Sequence, residues 1–167
     1  MRLRDVEAIL RALNDAHVRY LIVGGLAVVA HGYVRATVDI DIVINLEHDN
    51  VIRAMAALKA IGYVPLVSVD PTQFADENVR QGWIEHKHMI VFQMRHSDPE
   101  STRLDIFVEE PFDFESEFAK AKWDTVAGIA SPVLRFEQLL QMKRDSGRPQ
   151  DLADIAELEL IAENRRS

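Results

Sequence analysis

Cysteine is absent from this 167-residue chain, which removes disulfides, thiolate-bound zinc and thiol nucleophiles from consideration. Long hydrophobic runs are absent too. The longest apolar stretch, residues 20–30, is broken by Gly24 and Gly25 and is too short to cross a bilayer. The first twenty residues set Asp5, Glu7 and Arg11 among their apolar positions, which is not the core of a secretory signal; a cytoplasmic protein with no membrane partner is the expectation. A basic footprint is also lacking. With 27 acidic against 19 basic residues and a net charge of −8, the chain does not carry the field that grips extended DNA.

What is present is ordinary for a folded domain: 48% hydrophobic and 28% charged residues. The length predicts a single domain over 1–167, with a core over about 1–125 and closing helices over about 133–164. Val6, Ile9, Leu10 and Leu13 follow helical spacing and predict a helix over 4–16. A buried strand follows at 20–23, then a short helix over 26–31 closed by Gly32. A second strand is predicted at 38–45, and a helix carrying Val51, Ile52, Met55 and Leu58 ends at Gly62. Further strands are expected at 63–67, 89–94 and 104–108, and one or two around Gly128. Residues 68–84 read as an irregular loop, 112–122 hold a short helix, and 135–145 and 150–163 form a closing helical pair. Early helix–strand alternation followed by clustered strands predicts an α+β fold, a mixed sheet flanked by helices with a small C-terminal helical part.

Three carboxylates stand out. In Val38–Asn45, Asp39 and Asp41 are two residues apart and share one strand face with Val43, while Val38, Ile40, Ile42 and Ile44 take the buried one. Aspartate is a poor strand former, and two adjacent anions repel. A divalent cation resolves both difficulties, since Mg²⁺ is held by one or two carboxylates together with substrate phosphates. In 103–108, Asp105 lies opposite Leu104, Ile106 and Val108. If that strand lies beside the first, three acids converge, enough for two metal ions and a phosphoryl-transfer site in which Asp105 is the general base. Gly24 and Gly25, between a strand and a helix, allow close backbone approach to a phosphate; a plain tight turn is the simpler account of the two glycines alone. Arg35 and Thr37 precede the acidic strand and either contact a phosphate or pair with nearby acids. His86 and His88, spaced to share a strand face, with His96 beyond, suggest a zinc site or solvated histidines. His31 sits where it would touch a nucleotide or end a helix.

The motif Val23-Gly-Gly25, thirteen residues, Asp39-Ile-Asp-Ile42 and a distant Asp105 resembles the nucleotidyltransferase superfamily with the polymerase-beta-like fold. The stretches Gly24–Gly32, Arg35-x-Thr37-x-Asp39-x-Asp41, Leu139–Lys143 and Arg148-Pro-Gln-Asp151-Leu-Ala-Asp154 look like the small bacterial proteins related to AbiEii-type toxins. The resemblance implies transfer of a nucleoside monophosphate from an NTP to an acceptor hydroxyl on RNA such as tRNA, on protein or on a small molecule, with two Mg²⁺, or Mn²⁺ in their place. It implies Gly24, Gly25 and Lys143 as phosphate contacts, and Asp39, Asp41 and Asp105 as metal ligands. It also implies a toxin–antitoxin component with a cognate partner protein. On the residues alone, Lys143 shares the apolar face of Leu139 and Leu140, where a lysine commonly snorkels. Arg148, Asp151 and Asp154 read as a charge network at a helix start. Two rival readings stand: a catalytically silent nucleotide- or partner-binding module, and an antibiotic-modifying nucleotidyltransferase. An acidic chain suits a cationic drug better than tRNA.

Overall fold

The computed structural model describes residues 1–165. Helix α1 (Leu3–Asp15) buries Val6, Ile9, Leu10 and Leu13, the stripe that its spacing predicts. β1 (Tyr20–Ile22) is wholly buried and leads at once into α2 (Gly24–Ala30). β2 (Ile40–Ile44), α3 (His48–Ala60) and β3 (Tyr63–Pro65) follow. α4 (Glu77–Lys87), β4 (Val91–His96) and β5 (Leu104–Phe107) come next. α5 (Phe114–Ala119), the hairpin of β6 (Lys122–Val126) and β7 (Ile129–Val133), and the pair α6 (Phe136–Ser146) and α7 (Pro149–Asn164) complete the chain.

The seven strands form one mixed sheet in the order β3-β4-β5-β2-β1-β7-β6. β2 and β5 are parallel neighbours at its centre, each flanked on the other side by an antiparallel strand, β1 and β4. Central strands covered on both faces lose the alternation of a half-solvated one. β2 shows this: Ile42, Val43 and Ile44 are all buried, so Val43 does not share an open face with the acids. Val38, assigned by alternation to the buried face, is 66% exposed, because β2 begins only at Ile40.

Residues 68–84 are not an irregular loop. A 3-10 turn over Pro71–Ala75 and then α4 occupy the region, and the Asp76 carboxylate accepts from the Asn78 and Val79 amides to cap the helix. Phe74, Trp83 and Phe92 stack beneath it. The zinc reading of the histidines fails here. His86 lies in the last turn of α4 and His88 is its left-handed C-cap, so they share no strand. Elsewhere α1 packs on α3, α2 on β2 and α6, and α6 on α7. The two closing helices are joined through Gly147, which ends α6 in the left-handed conformation. Among the described residues, no helix is long and apolar enough to cross a membrane.

Candidate active site

Parallel pairing of β2 and β5 sets Ile40, Asp41 and Ile42 against Leu104, Asp105 and Ile106. Ile40, Ile42, Leu104 and Ile106 are fully buried, which turns Asp41 and Asp105 together to the opposite face. The strand period thus converts two separate sequence motifs into adjacent carboxylates. Asp39 lies in the bend just before β2. It is half-buried, and its charge acts on both Asp41 and Asp105.

The glycines are built into this cluster. The Val23 amide donates to the Asp41 carbonyl at 3.0 Å, tying the glycine turn to the acidic strand. Gly24 adopts φ +59°, and a Cβ there would lie 2.0 Å from Asp41 Oδ2; only glycine fits against this carboxylate. A Cβ on Gly25 would meet Thr37 Oγ1 at 2.5 Å and Arg35 Nη1 at 3.3 Å. Gly24, Gly25, Arg35, Thr37, Asp39 and Asp41 therefore share one locality, with Asp105 alongside.

The electrostatics are those of a crowded anionic pocket. Burial pushes the Asp41 carboxyl up to about 6, Asp39 and Asp105 push the same way, and the Gly25 N–H pulls it back. Burial also raises Asp105, against a hydrogen bond from Gln93, with Asp39 adding to the rise. Gln93 pairs with Asp105 across the antiparallel β4–β5 ladder, and its Nε2 donates to Asp105 Oδ2 at 3.4 Å. Asp105 Oδ1 is buried and has no hydrogen-bond partner among the described residues. A buried carboxylate oxygen left unsatisfied is costly, and a hard cation or an acceptor hydroxyl is what such an atom suits. Among the described residues, no three Asp, Glu or His side chains by themselves make a metal cage. The donor set fits a Mg²⁺ that takes one or two carboxylates and completes its shell with water and phosphate.

Lys143 is ion-paired in the interior. Its side chain is 6% exposed, and its ammonium sits 2.9 Å from Asp151 Oδ1 and 2.6 Å from Asp154 Oδ2. Asp154 also accepts Arg35 in a fork, from Nε at 2.6 Å and Nη2 at 2.8 Å. Asp151 accepts from Arg148 Nε at 2.7 Å. The charge network read from the sequence at the start of α7 is thus a chain of five ion-paired side chains that includes Arg35 and Lys143, buried at Lys143, Asp151 and Asp154 and reaching the surface at Arg148. His31 is structural, its Nε2 2.8 Å from the Leu134 carbonyl. Gln93 and Arg148 are the residues that sequence reasoning did not assign to the site. The alternation of Phe92 and Met94 with Gln93 and Arg95 was a signal for Gln93, but the register that sets it against Asp105 could not be read from one sequence.

The model of the aminoglycoside-2''-adenylyltransferase family matches residues 5–158. The chain belongs to this family. The structure of this adenylyltransferase-family member resembles that of the lincosamide antibiotic adenylyltransferase LnuA, lincomycin-bound, with a TM-score of 0.62 at 20% identity over 95% of this chain and 96% of the other. The solution structure of the antibiotic-resistance factor ANT(2'')-Ia aligns with TM-score 0.59 and 18% identity, over 99% of this chain and 84% of that one. A crystal structure of ANT(2'')-Ia in complex with adenylyl-2''-tobramycin gives 0.56 and 14% over 98% and 96%. At these identities the likeness concerns the fold. No curated protein matches the sequence. The nucleotidyltransferase fold expected from the motifs is borne out. The narrower likeness to AbiEii-type toxins finds no support, and the family points to the antibiotic-modifying alternative instead.

Proposed function

We propose that this protein transfers a nucleoside monophosphate, AMP in the first instance, from its triphosphate to a hydroxyl of a small polyhydroxylated antibiotic of the aminoglycoside or lincosamide class. The observation that carries the chemistry is the in-register pair Asp41 and Asp105 at the glycine turn, with Asp105 Oδ1 buried and unpartnered. Membership of an adenylyltransferase family supports the donor, and the antibiotics named for LnuA and ANT(2'')-Ia support the acceptor class.

In this reading Asp105 Oδ1 accepts the proton of the acceptor hydroxyl as its oxygen attacks the α-phosphorus. The new bond is P–O to the acceptor. The bond that breaks joins the α-phosphorus to the leaving pyrophosphate, which departs in line. Burial raises Asp105 toward the range of a useful base, and Gln93 holds its other oxygen, which leaves Oδ1 for the acceptor's proton. Asp39, Asp41 and Asp105 would hold Mg²⁺, which when bound neutralises the phosphate oxygens. The missing Cβ atoms of Gly24 and Gly25 let Asp41 and Thr37 close against the turn beside which the phosphates would bind.

The test is pyrophosphate release and product mass with ATP, Mg²⁺ and a panel of aminoglycosides and lincosamides, with tRNA and protein acceptors alongside. An antibiotic gaining one AMP is the expected result, with Asp105→Asn slower by about 100-fold or more. Label on RNA or protein alone would overturn the acceptor class. Full activity in both Asp41→Asn and Asp105→Asn would overturn the site.

A further inference from the structure

Two cations stand at the α6–α7 end of the site, and their situations differ. Lys143 is buried between Asp151 and Asp154, both at most 2% exposed. To reach a ligand it would have to abandon two buried carboxylates, leaving anions uncompensated in the interior. Arg148 has the opposite character. Its side chain is 75% exposed, and Asp151 fixes it from within through the 2.7 Å contact to Nε. That bond constrains a long side chain while leaving most of the guanidinium at the surface. Its charge reaches Asp41 and Asp39, whereas the cation acting on Asp105 is Arg103. The ion-paired chain from Arg148 through Asp151, Lys143 and Asp154 to Arg35 ends beside Gly25, which sets Arg148 at the glycine-turn side of the site. In an in-line displacement the leaving group departs opposite the attacking hydroxyl. A planar guanidinium suits the oxygens of a phosphate chain.

We propose that Arg148 is the side chain that binds the pyrophosphate portion of the nucleotide, and that Lys143, with Asp151 and Asp154, is a positioning residue that does not touch it. This rests on the nucleotidyl-transfer reading above and deepens it. Lys143 fastens Asp151, Asp151 fastens Arg148, and Asp154 does the same for Arg35 beside Gly25. One buried ammonium thus holds the partners of two arginines at the mouth of the site.

The experiment is calorimetric titration with ATP and with AMP, in Mg²⁺ and without acceptor, on wild type, Arg148→Ala, Arg148→Lys and, as an exposed control, Arg144→Ala. Arg144 pairs with Glu159 at the surface. The expected result is a loss of ATP affinity of about 10- to 100-fold in Arg148→Ala. Affinity for AMP stays unchanged, Arg148→Lys recovers part of the loss, and Arg144→Ala behaves as wild type. In turnover, KM for ATP rises and KM for the acceptor does not. Equal weakening of ATP and AMP would mark a structural role and overturn the proposal, as would wild-type ATP affinity in Arg148→Ala. Absence of ATP binding by the wild type would overturn it together with nucleotidyl transfer itself. Normal ATP binding with no antibiotic modified would sink only the acceptor class, and the Arg148 comparison would still decide this point.

Discussion

Asp41 carries the main electrostatic cost of the site. It is half-buried, two like charges act on it, and its carboxyl is pushed up to about 6. At neutral pH the ionised group is held where the fold would rather have it neutral. Replacing Asp41 with asparagine removes that charge at nearly constant volume. With divalent ions chelated at pH 7.5, Asp41→Asn is expected to stabilise the protein by about 1–3 kcal/mol, read from the denaturant midpoint, while abolishing transfer. Unchanged or lower stability would mean that the carboxylate is already compensated in the metal-free protein. The grouping of the acids was legible at this scale: Asp39 and Asp41 were read together with Asp105 on a second strand, and the structure sets Asp105 in register with Asp41 while leaving Asp39 just before the strand. Lys143 was less legible. Its apolar helix face was visible, but its partners arrive from the next helix, and nothing local says that α7 folds back to deliver Asp151 and Asp154.

At the scale of elements, the site depends on the junction of β1 and α2 against β2. Gly24 takes a positive φ, and its missing Cβ is the space that Asp41 Oδ2 fills. Alanine there must both adopt a left-handed conformation, at about 1–2 kcal/mol, and push the carboxylate aside. Gly24→Ala is expected to lower the melting temperature by several degrees and to cut kcat by about 100-fold, as a displacement of order 1 Å does to a reacting geometry. Steady-state kinetics on the folded variant check it; a kcat within about two-fold of wild type would contradict the close fit. The elements differ in how plainly they were written. α1 and the start of α3 follow the helical period because each buries one continuous stripe. α4 does not: only Arg80 and Trp83 are buried along it, and a helix with so narrow a contact leaves no repeat to read. Its signal was the cap, Asp76, and the proline turn before it. β2 was read two residues too early because alternation continues through Val38, which stands exposed before the first ladder bond.

For the whole molecule, the buried ion network joins distant parts of the chain. Arg35, in the segment leading into β2, is held by Asp154 of α7, and Asp154 shares Lys143 of α6 with Asp151. The closing helices are thereby fastened to the candidate-site end of the sheet by charge as well as by packing. Breaking such a network from one side is costly. Asp154→Ala leaves Arg35 and the buried Lys143 without a shared anion, for an expected loss of about 3–5 kcal/mol. The same network sets an acid limit. Burial alone would raise both carboxyls, but hydrogen bonds from Arg148 and Lys143 to Asp151, and from Arg35 and Lys143 to Asp154, hold both below the usual range. The unfolded chain, with carboxyls near about 3.9, then binds more protons than the folded one over that interval. Stability from this source is therefore complete above about pH 5 and is lost as pH falls below about 4 toward the folded values. Denaturant midpoints measured from pH 7 down to pH 3 should fall steeply at the acid end for wild type and more shallowly for Asp154→Ala, which has already lost part of what protonation removes. Parallel curves for the two proteins would mean that acid unfolding begins elsewhere and that the C-terminal helices are held by packing alone.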